Sequence, residues 1–525
     1  MTEIRAYIAG GGLAALSTAF YLIKDGGVKP QNITIFEESD FYGGGLDAFP
    51  EPNKNGYFMR GFRMLEEKVY SALFDLMSEI PSIEDREKTL MEEFAEFNKA
   101  VKTCSLSRLV EKGKAIDSKP LTMTFSDRLR LLKLLATPEK KLQNISIEEY
   151  FSPKVFESNF WYEFATTFSF QPWHSAEELK RYILRFIQDA PVLHTQTCIR
   201  STKYNQYESI ALPVMKFLEE KGVVFQKNSA VTNVNFIDKN EKKQIHQLTV
   251  LSKEDEKTIE VEKNDLVFLS LGSMVADYST GSMDNPSAKE PSSKSLSWDL
   301  WEKIVLISNQ FGKPAVFNKN IEKTKWTAFT VTFSDPLFFD LLQKITKRKA
   351  GEEGPLTIID SNWLISFAVP NQPHFIGQPE NLQILWGYGL NTDKVGNFIN
   401  KKMPECNGRE ILTEIVKHLH FEDHLDKIIN SANAIPCTMP HITSQFMPRK
   451  FGDRPQIVPP VSENFAFIGQ YCEIPEDIVF TLEYSVRSGQ IAVNTLLETG
   501  RKPTPIYRGR RNPKHVFNII RTAFR

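Results

Sequence analysis

The stretch Met59-Arg60-Gly61-Phe62-Arg63-Met64-Leu65-Glu66-Glu67 sets two guanidinium groups and two carboxyl groups around a thioether. Gly61 lets the backbone approach a ligand closely. That makes Arg60, Gly61 and Arg63 candidates for a ligand-facing loop. A carboxylate at Glu66 or Glu67 can accept strong hydrogen bonds and orient water, whereas the sulfur of Met64 is only a weak acceptor. Leu65, Val69, Leu73 and Leu76 recur at helical spacing. The predicted helix puts both glutamates in its first turn, where the helix dipole alone favours acids. The charge therefore has two readings, chemistry or a helix start.

The elements that must position this loop begin at the N-terminus. Ala6 to Ala9 predict a buried strand, and Leu16 to Lys24 carry a helical pattern. Between them Gly10, Gly12 and Ala15 fit G-x-G-x-x-A. The first glycine makes the turn, the second admits a pyrophosphate, and the small third residue lets helix pack on strand. A second strand, Ile33 to Phe36, ends at Glu37, 25 residues beyond Gly12, where an acid can bind ribose hydroxyls. A second glycine cluster with Gly44 and Gly45 follows at once, as in FAD proteins. Apolar strands ending at Gly272 and Gly469 complete the pattern, and the latter precedes a helical stretch from Val479 to Leu497.

The expected fold is α/β. A split Rossmann-like FAD-binding domain (1–80, 197–275 and 455–500) carries an inserted mixed α/β substrate region (81–196 and 276–454). Residues 80–196 are dominated by helical patterning, 222–236 predict strands, and 244–265 predict a hairpin. The polar stretch 277–297 predicts a surface loop. The last segment, 501–525, holds eight Lys/Arg and no acid. Val516, Phe517, Ile520 and Phe524 share one helical face there, with Lys514, Arg521 and Arg525 at its edge and opposite it. Such a segment can lie on an anionic membrane or dock on the protein's own core.

A formal net charge of −1 over 525 residues advertises no nucleic-acid partner. Five scattered cysteines without CxxC spacing support neither a disulfide framework nor a metal site, and a reducing cytoplasm is the natural setting. No apolar run reaches the roughly 18 residues of a membrane span, and no secretory leader is read at the N-terminus.

The motifs ITIFEE, NFWYEFATTFSFQPWHSAEELKRYILRF, YNQYESI, DLVFLSLGSM, FMPRKFGDRPQIVP, NFAFIGQY and EYSVRSGQIAV resemble those of the oleate hydratases, the myosin-cross-reactive antigen family, from about Arg5 to about Leu497. The resemblance implies FAD and addition of water to the cis-9 double bond of oleic-type unsaturated fatty acids, giving 10-hydroxy products with no net redox change. It assigns proton donation to Tyr182, which suits the role if cations such as Arg181 or Arg185 lower its pKa. The family loop has the form R-G-G-R-E; here Phe62 and Met64 depart from it, so the water-activating glutamate does not carry over and Glu66 and Glu67 are stand-ins. Thr438, His441 and Thr443, with Asn205, Gln206 and Tyr207, are candidates for the substrate pocket and its carboxylate end. Two rivals stand beside this reading: a flavin oxidoreductase or desaturase, and a non-catalytic FAD- and fatty-acid-binding relative. A monomer or a homodimer is expected, in the cytoplasm or on the inner face of the membrane.

Overall fold

The computed structural model describes residues 4–51, 56–253, 255–287 and 295–524. Its first layer is a five-stranded parallel sheet in the order Phe465–Ile468, Leu266–Ser270, Ala6–Ala9, Ile33–Phe36, Val224–Gln226. The strand Ala6–Ala9 is buried at every residue, as a central parallel strand covered on both faces must be. The helix Leu13–Lys24 lies against the helix Leu482–Leu496. They meet at Gly489, where a Cβ would come within 2.7 Å of Thr18 Oγ1 and 2.9 Å of Ser17 Oγ.

A second sheet of eight strands holds Trp326–Phe333, Gln383–Gly389 and Ala432–Met439 at its centre. Trp326–Phe333 is buried throughout, and its alternate residues enter two different cores. Phe329, Val331 and Phe333 join one packed under the helices Leu337–Thr346 and Gly408–His418. Trp326 and Ala328 face the other core, shared with the parallel sheet. The hairpin Ala48–Glu51/Gly56–Met59 stands on this sheet, its Tyr57 and Met59 amides donating to Thr332 Oγ1 at 3.0 Å and Thr330 Oγ1 at 3.2 Å. The loop Arg60–Leu65 leaves directly from this hairpin.

Three expectations change. The helix after that loop runs from Ser71 to Met77 and does not include Leu65. Leu65 instead exchanges backbone hydrogen bonds with Arg200 (2.9 and 2.8 Å), so a tertiary bridge overrides the apolar stripe. The helical region 80–196 also contributes the strands Leu109–Glu111 and Lys114–Ala115 to the eight-stranded sheet, segments too short to announce themselves by periodicity. Within the expected loop 277–297, Ser279–Thr280 pair with Cys437–Thr438, and residues 288–294 lie outside the described residues. The hairpin expected at 244–265 is present as Lys242–Ser252 and Asp255–Glu260, and Ser229–Lys239 joins it in a three-stranded sheet.

Candidate functional site

Two hollows meet at the loop Arg60–Leu65. The first is a cleft of about 690 Å³ along the carboxyl ends of the parallel strands, within the usual range for a ligand site. Gly10, Gly12, Glu37, Gly44, Gly45, Gly272 and Gly469 line it. Gly12 is the N-cap of the helix Leu13–Lys24, and no side chain caps that helix, so its first amides stay available to an anion. Gly44 comes so close to Gly12 that an added Cβ would lie 3.1 Å from the Gly12 Cα. Ala15 is fully buried and packs helix on sheet without lining the cleft. Open helix amides, a glycine-lined floor and a strand-terminal acid fit FAD. Glu37 differs in detail: its carboxylate already accepts from the Gly11 amide at 2.6 Å and from the Ser39 amide and hydroxyl at 2.9 and 2.8 Å. It therefore holds the turn itself, and burial raises its pKa. Gly10 has φ +97°, and a Cβ there would lie 2.9 Å from Ser270 Oγ. Gly10→Val is expected to purify almost free of flavin, measured as visible absorbance per mole of protein.

The second hollow is an apolar cavity walled by Phe160, Phe164, Phe168, Phe186, Phe367 and Trp386. Tyr182, Met64, Glu66 and Asp189 are among its polar or sulfur-bearing linings. Arg60, Arg63, Phe480, Thr481 and Leu482 border both hollows. Arg60 pairs with buried Asp47 and lies over the Tyr278 ring, 3.7 Å from its centroid. The Nη1 of Arg63 is buried with no hydrogen-bond partner among the described residues, and desolvation pulls this guanidinium down to about 10. Gly61 and Gly45 leave it room: added Cβ atoms would lie 2.9 and 3.3 Å from its nitrogens.

Tyr182 sits in the helix Ala176–Arg185, which begins at the Ser175 N-cap and is buried along nearly its whole length. Its hydroxyl donates to the Val479 carbonyl at 2.5 Å. The expected cationic activation is outweighed: Arg185 favours the phenolate less than burial and the neighbouring groups oppose it. Arg181 is held by Glu139, Glu177 and Glu473 at 2.8 to 3.0 Å, and Arg185 by Asp477 at 2.7 Å. Burial, then Tyr70, Glu178 and Asp477, push the phenol well above its ordinary value. Tyr182 therefore keeps its proton at neutral pH.

The two glutamates separate. Glu66 is buried on the cavity wall, its Oε2 accepting from the Lys68 and Val69 amides at 2.8 Å each, and burial raises its pKa. Glu67 faces solvent and pairs with Arg200 at 2.7 Å, outside the cavity. A side chain pointing away from the cavity cannot touch the reacting atoms, so Glu67 is removed from the catalytic candidates. Glu67→Gln is expected to keep kcat within about 2-fold, since an exposed pair of this kind contributes little.

The expected pocket residues also move. Gln206 accepts from the Arg63 amide (3.3 Å) and donates to the Arg63 carbonyl (3.2 Å), so it positions the loop. Asn205 donates to Glu208 at 2.7 Å, and Tyr207 stacks on Phe41 with centroids 4.5 Å apart. Thr438 bonds Ser287 and Thr327, Thr443 bonds the Thr324 carbonyl, and His441 lies 3.4 Å from Asp277. None of these six borders the apolar cavity. Their hydroxyl, amide and imidazole groups serve the frame of the fold. Asp189 was missed because nothing in its local sequence separates it from a surface acid. Among the described residues no cluster of three or more His, Cys, Asp or Glu can hold a metal.

A parallel sheet with a glycine cleft, joined by a loop to a cavity under a second sheet, defines a dinucleotide-binding protein of the amine-oxidase fold. Cyclohexylamine oxidase from Brevibacterium oxydans aligns over 95% of this chain and 100% of its own with a TM-score of 0.56 at 13% identity. Putrescine oxidase aligns over 94% and 99% with a TM-score of 0.55 at 10% identity. The chain belongs to the MCRA family, whose model matches residues 3–494. It is 37% identical to the oleate hydratase of Streptococcus pyogenes serotype M49, over 94% of this chain and 85% of that one. It is 33% identical to the linoleate hydratase of Lactiplantibacillus plantarum, over 94% and 93%.

Proposed function

We propose that this protein is an FAD-dependent hydro-lyase. It adds water across the cis-9 double bond of oleic- or linoleic-type fatty acids to give 10-hydroxy acids. One observation carries the reading: the apolar cavity containing Tyr182 shares a wall, Arg60, Arg63 and Phe480–Leu482, with the dinucleotide cleft. The relatives named oleate and linoleate hydratase support the substrate class.

The aromatic and aliphatic lining shields the alkyl chain from bulk water, which strengthens every electrostatic interaction inside. An isolated alkene needs a proton delivered to one carbon while water attacks the other. Tyr182 Oη holds that proton, and the ring quadrupoles around it favour positive charge developing on carbon. Arg60, Gly61 and Arg63 hold the loop against the cleft. Bound there, FAD supplies a planar ring and, when reduced, negative charge. To test the reading, the protein is incubated with oleate under air and under dithionite. The expected product is heavier by one water in both, and loss of hydrogen under air would overturn it.

The segments 1–80, 197–275 and 455–500 form the proposed FAD-binding unit, and 81–196 with 276–454 the substrate unit. The C-terminal helix Pro513–Ala523 has one side suited to docking and one suited to a membrane surface. Ile519, Thr522 and Ala523 turn inward onto the cavity. Phe517 (64% exposed), Ile520 and Phe524 face out beside exposed Phe125, whose ring lies 5.9 Å from that of Phe524. Lys514 and Arg521 flank this surface, while Arg525 lies outside the described residues. No helix among the described residues is long and apolar enough to cross a membrane. The proposal is a cytoplasmic protein that rests on an anionic leaflet and takes fatty acid from it. Phe517→Ser with Ile520→Ser is expected to cut co-sedimentation with phosphatidylglycerol vesicles at least 5-fold.

A further inference from the structure

Met64 borders the cavity at the loop position where an acid was expected, and a thioether cannot take a proton from water. The cavity nevertheless holds carboxyl groups on its wall. Glu66 enters from the loop just after Met64, and Asp189 from the turn Ile187–Val192 that follows the Tyr182 helix. Both border the hollow that Tyr182 lines, and Arg63, whose buried Nη1 has no hydrogen-bond partner among the described residues, lines it too. The two acids differ in what occupies them. Glu66 Oε2 is tied to two backbone amides, whereas Asp189 Oδ2 accepts from the neighbouring Gln188 amide at 2.8 Å.

We propose that Asp189 is the base that takes a proton from the attacking water, with Glu66 on the same cavity wall. The inference rests on the hydratase reading above. The water oxygen forms the new C–O bond as one of its O–H bonds breaks, and that proton passes to the Asp189 carboxylate. The other alkene carbon gains its C–H bond from the Tyr182 O–H. The proton on Asp189 then returns to the Tyr182 oxygen through water in the cavity. No electron leaves or enters, and no further reactant is consumed.

The electrostatics agree with the geometry. Burial, then Glu66, hold Asp189 up at about 7, against the weaker pull of Gln188, Lys68 and Arg200. Cys198 and Tyr507 face the same pair, and both stay protonated because burial and the two acids raise them. The C-terminal helix adds no charged lining residue among those described. A base with a pKa near the working pH is the efficient choice for general base catalysis.

The test combines kinetics with a titration that needs no turnover. In wild type, kcat for oleate hydration is expected to rise as pH increases through about 7, because Asp189 must lose its proton. Asp189→Asn is expected to lose about 100-fold or more in kcat, with KM and flavin content held within about 3-fold and the limb abolished. Asp189→Glu should recover part of the rate, and Glu66→Gln should move the limb to lower pH by removing a like charge. Infrared pH-difference spectra of the holoprotein should show a carboxylic acid band that titrates near the same pH and is missing in Asp189→Asn. Asp189→Asn retaining both rate and limb overturns the assignment, as does an infrared titration in the ordinary carboxylate range. A wild type that makes no hydroxy acid would instead remove the hydratase reading. If Asp189→Asn fails to fold, judged by its flavin content, the shift in Glu66→Gln decides alone, and an unmoved limb overturns the proposal.

Discussion

Tyr182→Phe is expected to lower kcat for oleate hydration by about 10²–10⁴-fold, the usual scale for removing a general acid. The change deletes one hydroxyl and leaves the ring. Phe168 and Phe170 pack on that ring edge to face at 5.0 and 5.1 Å, so the cavity keeps its shape. The Val479 carbonyl loses its 2.5 Å donor, a cost of about 1–3 kcal/mol in stability that leaves a large protein folded. KM and the flavin spectrum should stay near wild type, because Tyr182 borders the alkyl cavity and not the cleft. A fall in KM and kcat together would reveal ground-state strain; an unchanged kcat would remove Tyr182 from the reaction.

The second large effect is on stability. Asp477→Ala is expected to cost about 3–5 kcal/mol, read as a lower urea midpoint. Asp477 is fully buried between Arg185, on the Tyr182 helix, and Arg487, on the helix Leu482–Leu496, at 2.7 and 2.8 Å. Removing it strands two buried guanidinium groups with fewer partners. Arg487 keeps Glu483, and Arg185 keeps, among the described residues, only the Glu476 carbonyl at 3.1 Å. Asp477 Oδ1 also accepts the Ile478 amide at 2.8 Å, at the start of the turn that brings Val479 to Tyr182 and Phe480 to both hollows. Phe480 has φ +67°, a conformation a bulky residue holds only when its surroundings enforce it. Activity should therefore fall further than flavin content. A urea midpoint within error of wild type would show that the pair adds nothing.

The parallel sheet was legible because its signals are local. Strand, glycine turn and helix follow one another within Ala6–Lys24, and Ile33–Phe36 falls where the pattern placed it. The loop at Arg60–Met64 was legible through its resemblance to the family motif. What failed depended on distant chain. Leu65 follows a helical stripe yet pairs with Arg200, 135 residues on. Arg181 and Arg185 lie beside Tyr182 in sequence, but both pair with acids, Glu139 and Glu473 for Arg181 and Asp477 for Arg185, and burial of Tyr182 outweighs what Arg185 adds. Thr438, His441 and Thr443 have the chemistry of a carboxylate site, while sheet pairing and Thr324 turn them to other partners. Asp189 became visible only when the cavity put it beside Glu66.

The central claim is that water adds to an unsaturated fatty acid with no net redox change. The direct measurement is mass spectrometry of the product formed from oleate in ¹⁸O-labelled water. The expected product is a hydroxy acid carrying one labelled oxygen, with no hydrogen lost and no need for oxygen gas. A product two hydrogens lighter, or one whose oxygen comes from air, would contradict it.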